Sequence, residues 1–261
     1  MRIGICTGLD KLEAAYEAGY AYVESGVATL LPDQDEAAFA PVRKQFLAAP
    51  IRVEAFNGFL PPTLKVTGPE VDLDAVARYM DAALRRASEV GAKIVVFGSG
   101  GARCAPEGFP IDQAWAQFDV AGRLAAETAE RYDVTIALEP LLKRACNFFN
   151  RVEEGAAMVD RVNHPRLRLL TDLYHISAEE EPFENITKAG KRLVHTHLAT
   201  PAIPETGEGI AYDFAGFFCA LHAAGYDART SVEDNPGLLG GKHNVEVYRA
   251  VREYVEQFLV K

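Results

Sequence analysis

Eight short apolar runs, rich in β-branched residues, recur along the chain with a helical pattern after each, and few folds accommodate that alternation. The runs are "RIGIC" (2–6), "YAYVES" (20–25), "IRVEAFN" (51–57), "KIVVFGS" (93–99), "VTIALEP" (134–140), "RLRLLTD" (166–172), "RLVHTHL" (192–198) and "RTSVED" (229–234). Between them lie stretches such as 72–91, where Leu73, Val76, Ala77, Met80 and Leu84 share one helical face and Gly91 supplies a stop. The segment from about 243 to 259 places Val247, Val251, Tyr254, Val255 and Phe258 in the same manner.

Strand–helix alternation is the signature of a parallel sheet, because successive parallel strands need a crossover. Eight such units in 261 residues predict an α/β chain folded as a single (β/α)₈ barrel. No Gly/Ser-rich linker divides the sequence, so one domain over 1–261 is expected. The irregular segments 57–70, 99–110 and 199–212 each follow a strand. They are therefore expected on the C-terminal face, where barrels build their active sites. The first, with Phe59, Leu60, Pro61 and Pro62, is a candidate cover over the mouth.

A formal net charge of -10 gives no electrostatic reason to bind nucleic acid, since phosphate neutralisation needs clustered Lys and Arg. The cysteines (Cys6, Cys104, Cys146, Cys219) form no C-x-x-C pair, which suits a reduced, cytoplasmic protein. Cys104 and Cys146 both fall in loop segments, where a redox role is conceivable. No run has the length of a membrane span or the form of a signal peptide.

Function is expected at the strand ends. Strands 5, 6, 7 and 8 end at Glu139, Asp172, His197 and Glu233. On a barrel these four converge across one mouth, and three carboxylates with one imidazole form an oxygen-rich ligand set suited to Mn²⁺ or Mg²⁺, with Co²⁺ or Zn²⁺ possible. Each residue taken singly has a plainer explanation: Asp172 as a helix N-cap, the two glutamates in loop ion pairs, either histidine as a core residue. A carboxylate ending a run such as "VTIAL" must nevertheless be compensated, and one cation explains all four together. Alternation puts His195 and His197 on one face at different depths, so His197, nearer the mouth, is the expected ligand and His195 an interior group. The glycine-rich "FGSGGAR" (97–103) is either a tight strand-end turn, with Gly for close backbone approach, or a cradle in which successive backbone N–H groups and Arg103 hold a substrate phosphate or carboxylate. Lys143, Arg144 and Asn147 are further candidates for holding substrate.

The segments "ALEPL…NFFN" (137–150), "TDLYH" (171–175), "VHTHLA" (194–199) and "SVEDN" (231–235) together resemble the xylose isomerase-like TIM-barrel superfamily. That group includes sugar (phosphate) isomerases and epimerases, hydroxypyruvate isomerases, inosose dehydratases and endonuclease IV-type enzymes. The resemblance implies Glu139, Asp172, His197 and Glu233 as metal ligands and His175 as a substrate-contacting histidine. It departs from the ketose 3-epimerases of the group in three places: Leu142 and Lys143 replace their Asn-Arg pair, Ala145 replaces a substrate-binding Glu, and Ile203 replaces an Arg. The loops "FNGF" and "FGSGG" lack the histidines of the endonuclease IV type.

The expected activity is a divalent-metal-dependent isomerisation or epimerisation of a small sugar, sugar phosphate or hydroxy-keto acid. Glu139 and Glu233 would exchange the proton. A dehydratase acting on an inosose-like keto-polyol uses the same constellation, and a non-catalytic sugar-binding barrel is the alternative of a different class. Homo-oligomerisation through outer helices is also open.

Overall fold

The computed structural model describes residues 1–198, 211–233 and 243–258. Eight strands, β1 (Arg2–Cys6), β2 (Tyr22–Gly26), β3 (Val53–Asn57), β4 (Ile94–Phe97), β5 (Thr135–Leu138), β6 (Leu167–Asp172), β7 (Leu193–Leu198) and β8 (Arg229–Val232), are all parallel to their neighbours and close in sequence order into a barrel. The helices around it are α1 (Leu12–Ala18), α2 (Glu36–Ala48), α3 (Leu73–Glu89), α4 (Gly100–Arg103), α5 (Ile111–Arg131), α6 (Val152–Val162), α7 (Leu173–Ala178), α8 (Glu184–Ala189), α9 (Phe214–Ala223) and α10 (His243–Phe258). This is the expected single (β/α)₈ barrel. Among the described residues no helix is long and apolar enough to cross a membrane.

Most strands are shorter than the apolar runs that foretold them. Glu139 and Glu233 lie one residue beyond β5 and β8, where the backbone leaves the ladder and the side chains reach over the mouth. Strand alternation sorts the core into two compartments. Outward faces pack on the helices through residues such as Val23, Val95, Leu138 and Leu169, while Tyr22, Ala55, Ile94, Val96, Ala137 and Leu170 fill the barrel itself. That inner layer floors the site. Two positions further along β2 and β6, on the same inward face, come Glu24 and Asp172.

One glycine makes the floor possible. A Cβ on Gly4 would stand 2.3 Å from the Tyr22 ring, so only glycine lets that ring lie across the axis. From there the Tyr22 hydroxyl reaches Ser231 Oγ at 2.9 Å.

The segment 57–70 is fastened to the next loop rather than hinged above the mouth. Leu60 N–H donates to Ser99 Oγ (2.9 Å), Val66 N–H to Ala102 O (3.0 Å) and Thr67 Oγ1 to Arg103 O (2.8 Å). Gly68 exchanges hydrogen bonds with the Gln117 side chain, and Phe59 packs edge-on against Phe97. It is a wall of the site. Ile203 and most of the expected third loop lie outside the described residues.

Replacing Gly4 with Ala forces the Tyr22 ring out of a packed interior. We expect a loss of about 1–3 kcal/mol of stability, measured by urea unfolding.

Candidate metal centre

Parallel register carries four strand ends to one point. Asp172 pairs with His197 across β6 and β7, and His197 with Ser231 across β7 and β8. One ligand-capable atom each from Glu139, Asp172, His197 and Glu233 lies within 4.8 Å of the others. His197 Nδ1 is the hub, 3.1 Å from Glu139 Oε1, 3.0 Å from Glu233 Oε2 and 3.9 Å from Asp172 Oδ2. Glu139, Asp172 and His197 are buried, whereas the Glu233 side chain is 45% exposed and opens to the mouth.

Asp172 and His197 are held from behind, and Glu139 is given room. Asp172 caps α7, its Oδ1 accepting from Tyr174 N–H at 2.6 Å, which turns Oδ2 into the site. The N-cap reading and the ligand reading of this residue are therefore compatible. Gly98 leaves room for Glu139, since a Cβ there would fall 2.2 Å from Oε2. Leu142 N–H lies 3.4 Å from His175 Nδ1, an arrangement that turns Nε2 toward Asp172 Oδ2 at 4.0 Å.

Behind His197 stands a residue that the strand-end reading missed. Glu24, wholly buried on β2, places Oε1 2.9 Å from His197 Nε2 and Oε2 2.7 Å from His195 Nε2. Ser231 Oγ donates to the same Oε2 at 2.7 Å. A carboxylate on Nε2 takes the ring's N–H on that side and leaves the Nδ1 lone pair for a metal. His195 is thus an interior group, as expected, but a polar one tied to Glu24. The signal for Glu24 was in the sequence: a carboxylate inside the apolar run "YAYVES" needs a partner as much as one inside "VTIALEP" does.

The electrostatics describe a site built for a cation. Burial, with Glu233 and Glu139 nearby, pushes the Asp172 carboxyl up to about 6. Burial opposes a charge on His197, yet the carboxylates of Glu24 and Glu233 outweigh it and push the imidazole well up. Glu24 overcomes its own desolvation because both histidines favour its charged form, and it stays ionised far below the usual carboxylate range. The carboxylates at the mouth repel one another and share a proton on His197. A divalent ion would relieve both, so three oxygen ligands and Nδ1 fit a metal. Cys6 also approaches Glu24 and His197, and burial, with the Glu24 carboxylate nearby, raises its thiol well above the ordinary value.

The other candidates are elsewhere. Lys143 is exposed at the rim, with Nζ 3.3 Å from Glu179 Oε2. Arg144 donates to the Tyr174 hydroxyl (2.8 Å). Asn147 is joined to Ala105 through Oδ1 and Nδ2, both at 3.0 Å. Arg103 is wholly buried with its guanidinium over the Phe149 ring.

Comparison with known proteins places this geometry in context. The family model described as "Xylose isomerase-like TIM barrel" matches residues 12–256. An L-ribulose 3-epimerase of Methylomonas sp. (strain DH-1) is 35% identical over 105 residues, covering 40% of this chain and 36% of that protein. The match thus spans little more than a third of that curated relative. Among solved structures, a D-psicose 3-epimerase determined in the presence of D-fructose superposes with a TM-score of 0.82 at 16% identity, covering 100% of both chains. The IOLI protein with a binding zinc atom gives 0.75 at 18% identity, again covering 100% of both.

Two measurements test the centre. Because His197 must release its Nδ1 proton to an ion and Asp172 takes up a proton as pH falls through about 6, calorimetric affinity for a divalent ion should decline as pH is lowered and decline most steeply below about 6. Glu24→Leu should weaken the ion by about 10–100-fold with the fold retained, since the ring loses the group that fixes its tautomer.

Proposed function

The chain belongs to the xylose isomerase-like TIM-barrel family, and from that premise we propose that it is a divalent-metal-dependent isomerase or epimerase of a small hydroxy-carbonyl sugar. The observation that carries the reading is the pair Glu139 and Glu233, which arrive from strands on opposite sides of β6 and β7 and meet the same imidazole nitrogen at 3.1 and 3.0 Å. A substrate carbon held at that point has a carboxylate on each flank. The metal would be held by Glu139, Asp172, His197 and Glu233, with Mn²⁺ or Mg²⁺ best matched to the three oxygen donors and Co²⁺ or Zn²⁺ acceptable. When bound, it supplies Lewis acidity to a carbonyl and its neighbouring hydroxyl.

The protein's own groups do the rest. Glu233, the more accessible carboxylate, takes the proton from the carbon next to the carbonyl. Glu139, buried and seated against Gly98, returns it from the other flank. Delivery to the same carbon from the opposite face inverts it, and delivery to the neighbouring carbon shifts the carbonyl. His175, with Nε2 facing the site, is the substrate hydrogen-bond donor in this scheme. We assign Arg103 and Asn147 to shaping the loops after β4 and β5, and Lys143 to the rim, where it remains available to a substrate anion.

The 3-epimerase names among the relatives favour epimerisation over loss of a β-hydroxyl. Leu142 and Ala145, standing where the resembled ketose 3-epimerases carry polar substrate contacts, favour a substrate less hydroxylated at that end. The test is a screen of ketoses, their phosphates and hydroxypyruvate in D₂O. Turnover should incorporate deuterium at the epimerised or isomerised carbon and stop with EDTA. Glu139→Gln and Glu233→Gln should each lower kcat by about 10²–10⁴-fold. Normal turnover in both variants would remove the two-carboxylate scheme.

A further inference from the structure

Beside the acidic mouth, the loops after β4 and β5 hold a second group of reactive side chains that the proposed reaction does not use. Arg103, at the end of α4, is fully buried, and Nε, Nη1 and Nη2 all lack a hydrogen-bond partner of normal geometry. Its guanidinium lies 5.4 Å from the centre of the Phe149 ring, and Phe149 holds a left-handed backbone (φ 59°) to put the ring there. A buried cation so poorly satisfied is costly unless an anion stands next to it. The groups that bear on it are the Cys146 thiol first, then the Glu139 carboxylate and the Cys104 thiol.

Cys146 has a partner. The Cys104 thiol donates to Ala145 O at 3.4 Å, the carbonyl that joins directly to Cys146, which sets the two thiols beside each other. The double hydrogen bond between Asn147 and Ala105, the residues next in sequence, clamps the two loops at this point. Cys146 is almost fully buried and Cys104 is partly open to solvent.

We propose that Cys146 and Cys104 form a peroxide-responsive dithiol, with Cys146 the attacking sulfur beside Arg103 and Cys104 the resolving thiol. The adjoining Cys104 thiol, together with Arg103, brings the Cys146 thiol down to about 6 despite its burial. The adjoining Cys146, reinforced by burial, raises Cys104, whose S–H is held by Ala145 O. Cys146 sulfur attacks one peroxide oxygen and the O–O bond breaks, giving a sulfenic acid and hydroxide. Cys104 loses its proton to that hydroxide and attacks the sulfenic sulfur. The S–S bond forms, the hydroxyl leaves as hydroxide and takes up the proton that the Cys146 thiol first released, and two thiols and one peroxide have become a disulfide and two waters. The cross-link joins the loop that starts with Gly98 against Glu139 to the loop whose Leu142 N–H faces His175.

The test uses the full chain, treated with EDTA and then with stoichiometric hydrogen peroxide at neutral pH. The intact mass should fall by two hydrogens, and a tryptic map should show the peptides of Cys104 and Cys146 joined while Cys219, the exposed cysteine, still alkylates. Cys104→Ser should stop at a sulfenic acid on Cys146, captured by dimedone. Arg103→Met should slow oxidation of Cys146 by about tenfold or more. Should that variant not fold, Cys146→Ser reads the same point, because Cys104 should then oxidise no faster than Cys219. Oxidation of Cys219 ahead of the pair, or rapid loss of the Cys104 thiol in Cys146→Ser, would overturn the proposal.

Discussion

The hydrogen bond between Glu24 and His197, inside the closed barrel, is the constraint on which the mouth depends. It fixes which nitrogen of the ring faces upward, and that nitrogen is the point on which Glu139, Asp172 and Glu233 converge. Glu24 is in turn ordered by His195 and Ser231, and Ser231 by Tyr22. Tyr22 lies across the axis only because Gly4 has no side chain. A chain of contacts thus runs from the barrel floor to the carboxylates of the mouth, and each link is a pair of inward-facing residues on neighbouring or facing strands.

That construction explains how much was legible in the sequence. The period-two alternation and the repeated strand–helix unit are local signals, so the barrel, its strand order and the stacking of His195 beneath His197 followed from short windows. The convergence of Glu139, Asp172, His197 and Glu233 also followed, because closure of a parallel sheet brings all its strand ends to one rim. Glu24 did not, since it sits within β2 rather than past its end, and its value comes from a histidine more than 170 residues away. Loop chemistry was the least legible. Arg103 and Asn147 look like substrate-binding residues in sequence, but what they touch is set by how the loops after β4 and β5 fold onto each other.

The two loop features divide the rim into regions of different character. The wall at 57–70 and the clamp between Ala105 and Asn147 are held by backbone hydrogen bonds and buried aromatic packing. On the β8 side, Glu233 opens outward. The proposed substrate would therefore meet a firm surface over β3 to β5 and the most accessible carboxylate of the mouth over β8, which gives the site an orientation before any ligand arrives.

Asp172 shows how narrowly one side chain can be specified. One of its oxygens closes the first turn of α7 and the other faces the imidazole. Asparagine would keep the cap and lose an anionic ligand. Glutamate would keep the charge, yet its extra methylene would carry the cap oxygen away from Tyr174 N–H. Only a carboxylate on a single methylene serves both, so the start of a helix and the filling of the mouth are mechanically one event, and order in α7 becomes a gauge of what the mouth contains.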